Sequence, residues 1–488
     1  MLHRSWLLLF GLLLTACTEP AAAQRRESPP PLGREFRAAW VATVNNIDWP
    51  SRPGLPTRDA KAELDAIVRR ALDLGLNALV FQVRPAADAM YVSAREPWSE
   101  WLTGAQGRAP DERWDPLQFL IELCHRDGLQ LHAWFNPFRA GHPSGKSRPA
   151  SNHVRSQLPS VCIEYGGNVW MDPGDPRAAD WSLAVILDVV RRYDIDGVHI
   201  DDYFYPYPEG GRAFPDDASF ERYRSAGGRQ PRADWRRANI DAFVERLYRD
   251  VHREKSWVQV GISPFGIARP GIPAGIKAGL DQYADLYADV EKWLREGWYD
   301  YLSPQLYWPI DQEPQSFARL LPWWLAKNVH AHHVWPGLNA GRALAGKAPW
   351  RRDELSDQIT AIRNADSHPG HVHFSFRSLR SDAANVGGAL RTKLYDGPVI
   401  APPSPWLGTE APPPPRARLE TGRRADILRW DQDRHAHFIA IQVRDASGWR
   451  TARVVGAEVG HFELPIGSVA IALSAIGRTG IQSVPTVL

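Results

Sequence analysis

Two adjacent aspartates, Asp201 and Asp202, stand in the middle of the run Asp196-Gly-Val-His-Ile-Asp-Asp-Tyr-Phe-Tyr-Pro206. Carboxyl groups this close cannot both ionise freely once water is excluded, so one is pushed toward its neutral form. A pair of this kind suits acid and base work on an acetal bond. One acid protonates a leaving oxygen while a second carboxylate acts as nucleophile, base or stabiliser of developing positive charge. The same pair could instead cap a helix or brace a turn. Tyr203, Pro206 and Tyr207 follow at once. Proline cannot continue a strand ladder, and tyrosines offer flat amphipathic faces to a sugar ring.

The spacing around the doublet is that of a short strand. Val198 and Ile200 alternate with Gly197, His199 and Asp201, giving one apolar face and one polar face. With Val198 and Ile200 turned toward covering helices, His199 and Asp201 point the other way. Seven further apolar runs share this form, so strands are expected at 36–44, 78–83, 130–135, 197–201, 258–262, 301–306, 333–337 and 371–376. Helical patterns lie between them, at 58–74, 115–127, 175–193, 235–255, 284–297, 314–327 and 352–364. Asp115-Pro116 and Asp175-Pro176 supply an N-cap followed by proline in the first turn. Eight alternating strand and helix signals predict a (β/α)8 TIM barrel, and the Gly-rich turn of a doubly wound sheet is missing.

In such a barrel, chemistry sits at the C-terminal ends of the strands. Polar residues in register there are Gln82 and Arg84 on the second strand, His132 and Asn136 on the third, and His199 and Asp201 on the fourth. The sixth brings Gln305 and Tyr307, and the eighth His373, Ser375 and Arg377. Arg84 or Arg377 would touch substrate or pair with Asp201. His132 and His199 read as satisfied lumen histidines, since no third ligand stands near them. Tyr203 and Trp308, with Trp49, Trp98, Trp101 and Trp335, are either sugar platforms or core.

The 488-residue chain has a formal net charge of +2, with 21 Trp and 14 Tyr. That length suggests two folded units, and the charge carries no nucleic-acid footprint. Walker, Rossmann, zinc-protease and serine-elbow patterns are absent, so no cofactor is expected. His3 and Arg4 precede an apolar run ending in Leu14-Thr15-Ala16-Cys17, too short to span a bilayer and suited to a signal peptide over 1–16. Cys124 and Cys162 could pair or stay free, and no metal spacing is present. Residues 17–33 read as a tether, 34–398 as the barrel, 399–415 as a proline-rich linker and 416–488 as a small all-β sandwich. Strands in that last unit are expected at 427–430, 438–443, 462–465 and 469–475.

Five ordered motifs resemble glycosyl hydrolase-like family 10: Arg34-Glu-Phe-Arg-Ala-Ala-Trp-Val-Ala-Thr-Val-Asn-Asn-Ile-Asp-Trp-Pro-Ser51, Phe81-Gln-Val-Arg-Pro85, Ala133-Trp-Phe-Asn-Pro137, the doublet run itself and Ser303-Pro-Gln-Leu-Tyr-Trp308. The resemblance implies a (β/α)8 glycosidase whose envelope members act on peptidoglycan glycan stripped of peptide. Asp196-Gly-Val-His-Ile-Asp201 also resembles the fourth-strand pattern of the α-amylase clan, where the last aspartate is the nucleophile; here His199 replaces the arginine. The start of the run Ala-Cys17-Thr18 resembles a lipoprotein signal with lipid on Cys17, which implies anchoring at the periplasmic face of the outer membrane. Segment 416–488 resembles a fibronectin type III module.

The later strand ends bring no carboxylate. Three solutions stay open: Asp201 and Asp202 divide the work with help from a substrate N-acetyl group, a loop acid (Asp48, Asp172 or Asp311) swings in, or the barrel only binds glycan. The expected function is therefore a lipid-anchored periplasmic glycosidase acting on GlcNAc-MurNAc strands. The rival is a non-catalytic glycan-binding lipoprotein.

Overall fold

A computed structural model describes residues 28–345, 350–380, 390–392, 394–422 and 425–488. Segment 1–16, Cys17 and most of the tether lie outside the described residues. No described helix is long and apolar enough to cross a membrane.

Eight parallel strands form a ring: Phe36–Val41, Ala78–Arg84, Gln130–Phe135, Gly197–Ile200, Gln259–Ile262, Tyr301–Leu302, a seventh in two halves, His333–Val334 and Gly337–Leu338, and Gly370–His373. Sequential neighbours pair in order, and the first strand pairs with the eighth through Phe36 and Gly370. The seventh strand is split where Pro336 has no N–H to give. Its first half pairs with the sixth strand and its second with the eighth. The ladder carries on across the split, with Gly337 N donating to the Pro304 carbonyl (2.9 Å) and Val372 N to the Pro336 carbonyl (3.0 Å). The barrel is thereby closed.

The first strand stops at Val41 rather than 44. Asn45 and Asn46 adopt φ of 52° and 53°, a left-handed turn that asparagine tolerates. The helix expected from 284 begins at Val290, because Asp289 caps it by accepting from Lys292 N (3.0 Å). Asp115 and Asp175 cap their helices as expected. Val198 and Ile200 are fully buried against the helical layer.

The lumen is filled by Phe36, Trp40, Trp134, Tyr301 and Trp335 together with His132 and His199. These rings are large for an eight-stranded interior, and two glycines make the room. A Cβ on Gly197 would meet the His132 ring at 2.3 Å, and one on Gly261 the Tyr301 ring at 2.0 Å. Trp49, Trp101 and Trp335 are core rather than sugar platforms.

A three-stranded antiparallel sheet, Arg139–Gly141, Asn168–Met171 and Cys162–Tyr165, is inserted after the third strand. Cys124 and Cys162 are both free thiols.

Beyond residue 416, two antiparallel sheets of three and four strands enclose a second core around Leu428, Trp430, Ile441 and Leu473. The three strands Ala417–Glu420, Gly448–Gly456 and Thr486–Val487 had no counterpart in the sequence reading. This all-β unit packs on the end of the barrel opposite Asp201. Leu32 and Ile400 meet Phe438, Ala440, Val454 and Ile476 there. Asp196 lies 2.8 Å from Nε2 of both His125 and His437, and Arg478 stands 3.7 Å from the same carboxylate. The proline-rich stretch is also seated on the barrel, since Ser404 accepts from Gln259 Nε2 (2.7 Å) and Trp406 Nε1 donates to Asp300 (2.8 Å).

Candidate active site

Asp201 and Asp202 follow the last ladder residue of the fourth strand, at its C-terminal end, and both are nearly fully buried. They share a cavity of about 290 Å³ with Gln82, Tyr203, Gln305 and Tyr307. Six of the residues expected at the site therefore converge in space.

Asp201 Oδ2 accepts from Trp134 Nε1 (3.1 Å) and Asn136 Nδ2 (3.2 Å). Its Oδ1 is buried and has no hydrogen-bond partner. Burial and the charge of Asp202 push the Asp201 carboxyl up to about 7, against the opposing pull of Arg139. Asp202 accepts from the Tyr207 hydroxyl. Burial raises it too, and the tyrosine bond holds that rise back. Near neutral pH the Asp201 carboxyl is therefore within reach of both its protonated and its ionised form.

Gln82 Oε1 takes the amides of Thr43 (3.0 Å) and Val44 (2.9 Å), tying the first loop to the second strand. Its Nε2 is buried and unpartnered. Two residues that line one cavity thus each carry a buried polar atom without a partner, an arrangement costly in a folded protein. Gln305 donates to the Ser263 carbonyl (3.0 Å), and Tyr307 lies against Phe374 with ring centroids 5.8 Å apart.

Four expected site residues lie elsewhere. Arg84 makes a two-pronged bond to Glu96 at 2.6 and 2.8 Å, both side chains fully buried, and also caps the Asn136 carbonyl at 2.6 Å. A buried guanidinium requires such a partner, and the partner is Glu96 rather than Asp201. His199 is a layer deeper, bonded to Tyr301 (3.0 Å), Trp40 (3.1 Å) and Ser263 (3.1 Å). Burial keeps it neutral, with its pKa well below the usual imidazole value. Trp308 packs edge-on against Phe265 outside the cavity. Arg377 is exposed, its amide bonded to Asp48. Asn136 does not line the cavity but holds Asp201 directly.

No other carboxylate lines the cavity among the described residues. Asp48 is occupied by Ala42 N (2.7 Å) and Ser375 Oγ (2.8 Å), Asp172 by Ser219 and Gly174, and Asp311 is exposed beside Arg351. None of the three loop acids reaches the doublet.

The sequence reading missed Trp40, Trp134, Arg139 and Phe374, and the Tyr207 that follows the doublet lines the cavity with them. Trp134 sits between His132 and Asn136 on the inward face, so its position was available to a search not restricted to polar residues. Arg139 carried no signal. It is buried, with its guanidinium 5.1 Å from the Tyr203 ring and its Nε donating to the Pro85 carbonyl (3.0 Å).

The family model for "Glycosyl hydrolase-like 10" matches residues 35–345, which include every residue of this cavity except Phe374. The chain belongs to the glycosyl hydrolase-like 10 family. It is 39% identical over 395 residues to glycosyl hydrolase YngK of Bacillus subtilis, covering 78% of this chain and 76% of that one. It is also 33% identical over 347 residues to glycosyl hydrolase DigH of Escherichia coli K12, covering 65% and 78%. The glycoside hydrolase domain of PgaB (BpsB) from Bordetella bronchiseptica aligns with a TM-score of 0.47 at 12% identity, over 74% of this chain and 98% of that domain. As a glycosyl hydrolase-like 10 member, the chain is a glycoside hydrolase-like barrel with its cavity at the expected end.

Proposed function

We propose that the protein is a glycosidase that cleaves peptidoglycan glycan strands, GlcNAc-MurNAc chains freed of their peptides, using Asp201 and Asp202 as its acid pair. The observation that carries this is the pair of buried carboxyls, that of Asp201 raised to about 7, at the wall of a cavity of about 290 Å³. One member of the pair protonates the leaving glycosidic oxygen. The other, as carboxylate, orients the N-acetyl group of the bound sugar so that its carbonyl oxygen attacks the anomeric carbon. The substrate thus supplies the nucleophile that no other strand provides. Water then opens the resulting ring intermediate, and the acid that gave its proton takes one back.

Arg139 contributes fixed positive charge beside the pair, and Gln82 Nε2 offers a donor to a sugar hydroxyl or acetamide. Support for peptidoglycan comes from the resemblance to envelope members of the family and from the lipoprotein-like run ending at Cys17. A lipid on Cys17 would tether the enzyme at the periplasmic face of the outer membrane, and the fibronectin type III-like module at 416–488 would act as a packing domain. No cofactor takes part in this scheme.

The test is release of soluble sugars from amidase-treated sacculi. Wild-type protein is expected to release them, while Asp201→Asn and Asp202→Asn bind glycan but release none. Full activity in either variant sinks the mechanism. Tight binding without release by the wild type would make the protein a glycan-binding lipoprotein.

A further inference from the structure

The cavity at the doublet does not end at Tyr203 and Tyr207. Both residues also wall a second cavity of about 230 Å³, shared with Trp170, Asn168 and Glu209. That one in turn shares Tyr165, Gly166 and Asn168 with a third, of about 510 Å³, which reaches Arg212. The three cavities thus neighbour one another in series from Asp201 along the inserted three-stranded sheet, each sharing wall residues with the next.

Their construction is that of a binding surface. The Tyr203 ring lies nearly parallel to Trp170, 29° apart with centroids at 5.8 Å, and Trp170 Nε1 is anchored on the Tyr165 carbonyl (3.2 Å). Trp170 is buried, so it stiffens Tyr203, which is half-buried and lines the first two cavities. Farther out, Tyr165 pins the opposite wall by donating to the Arg212 carbonyl (2.6 Å) and accepting from Glu209 N (2.9 Å). Asn168 and Arg212 line the outer cavity, the Asn168 amide donating to the Gly166 carbonyl (3.2 Å) and the exposed Arg212 guanidinium lying 6.0 Å from the Tyr165 ring. Aromatic side chains followed by amide and guanidinium side chains are the groups a chain of sugar rings calls for. The first cavity is at the lower end of small-ligand sites, so the two added cavities are room for more rings of the same chain.

We infer that the inserted sheet forms additional sugar subsites, so that the protein grips an oligomer of the glycan rather than a single repeat. This rests on the glycosidase reading above and deepens it. The residues assigned to the added subsites are Tyr203, Asn168 and Arg212, with Trp170 and Tyr165 as positioning residues.

The experiment is calorimetric titration of full-length Asp201→Asn protein with GlcNAc-MurNAc fragments of one, two and three repeats, without peptide. Affinity is expected to rise about tenfold or more from one repeat to three. The rise should collapse to less than about threefold when Asn168→Ala and Arg212→Ala are added. Equal affinity at all lengths, no binding at any length, or a length dependence that survives both substitutions overturns the inference. Asp202→Asn serves as the background if Asp201→Asn fails to fold. Binding is read without turnover, so failure of the subsites stays distinct from failure of the hydrolase: short fragments cut by the wild type with no gain from length would remove only the former.

Discussion

Burial sets the behaviour of Asp201, and its consequences are measurable. The ordinary carboxyl value of 3.8 is raised to about 7 in the folded chain, so the fold binds a proton that the unfolded chain releases. The linked stability is complete below the unfolded value and is lost as pH rises through about 7. Asp201→Asn mimics the neutral acid. It is therefore expected to raise the urea midpoint at pH 8 and to leave it near wild type at pH 4, with opposite ordering refuting the shift. Activity should follow the same proton: sugar release declines as pH climbs past about 7, because the doublet loses its acid. A rate still climbing at pH 9 would show that the proton comes from elsewhere. At this scale the sequence was legible in part. The doublet, Gln82, Gln305 and Tyr307 announced themselves through strand alternation. Arg84 misled because alternation places a side chain on a face without saying which loop will offer it a partner.

The second and third strands carry the clamp that keeps the doublet in register. Arg84 joins Glu96 and the Asn136 carbonyl, and Trp181 Nε1 adds a bond to Glu96 at 2.7 Å. Removing one partner of a buried ion pair strands the other charge, at a cost of about 3–5 kcal/mol. Arg84→Ala is accordingly expected to lower stability by about that amount in urea unfolding; a wild-type midpoint would deny the clamp its role. Strand and helix order were readable because period two and period 3.6 persist under packing. The inserted sheet was not, since its strands of three or four residues are too short to show a period.

Across the whole molecule, Asp196 links barrel and all-β unit. Burial alone would raise its pKa, but His125 and His437 hold it well below the ordinary carboxylate range. The two imidazoles cannot both be charged beside one carboxylate and Arg478. Burial keeps His437 down at about 4, while for His125 the pull of Asp196 outweighs burial and raises it. The His125 share of stability is present below about pH 6.5 and fades as pH rises through its raised value, whereas the Asp196 share fades only as pH falls through its lowered one. Asp196→Asn is expected to cost about 3–5 kcal/mol at pH 6, measured by calorimetric unfolding of the full chain. Unchanged unfolding would show that the apolar seam alone holds the two units together.

Local pattern alone specified the eight strands, the capped helices, the outward burial of Val198 and Ile200 and the delivery of two carboxyls to a strand end. Each depends on neighbours a few residues away, whose geometry the chain carries with it. Tertiary structure decided which polar groups reach the cavity and which are consumed as braces. A buried charged or imidazole side chain must be satisfied by whatever the fold brings near it: a loop glutamate and the Asn136 carbonyl for Arg84, and groups from distant segments for His199 and Asp196. Arg139 entered the site for the same reason, its guanidinium brought to the Tyr203 ring from the inserted sheet, whereas the inward place of Trp134 follows from strand alternation.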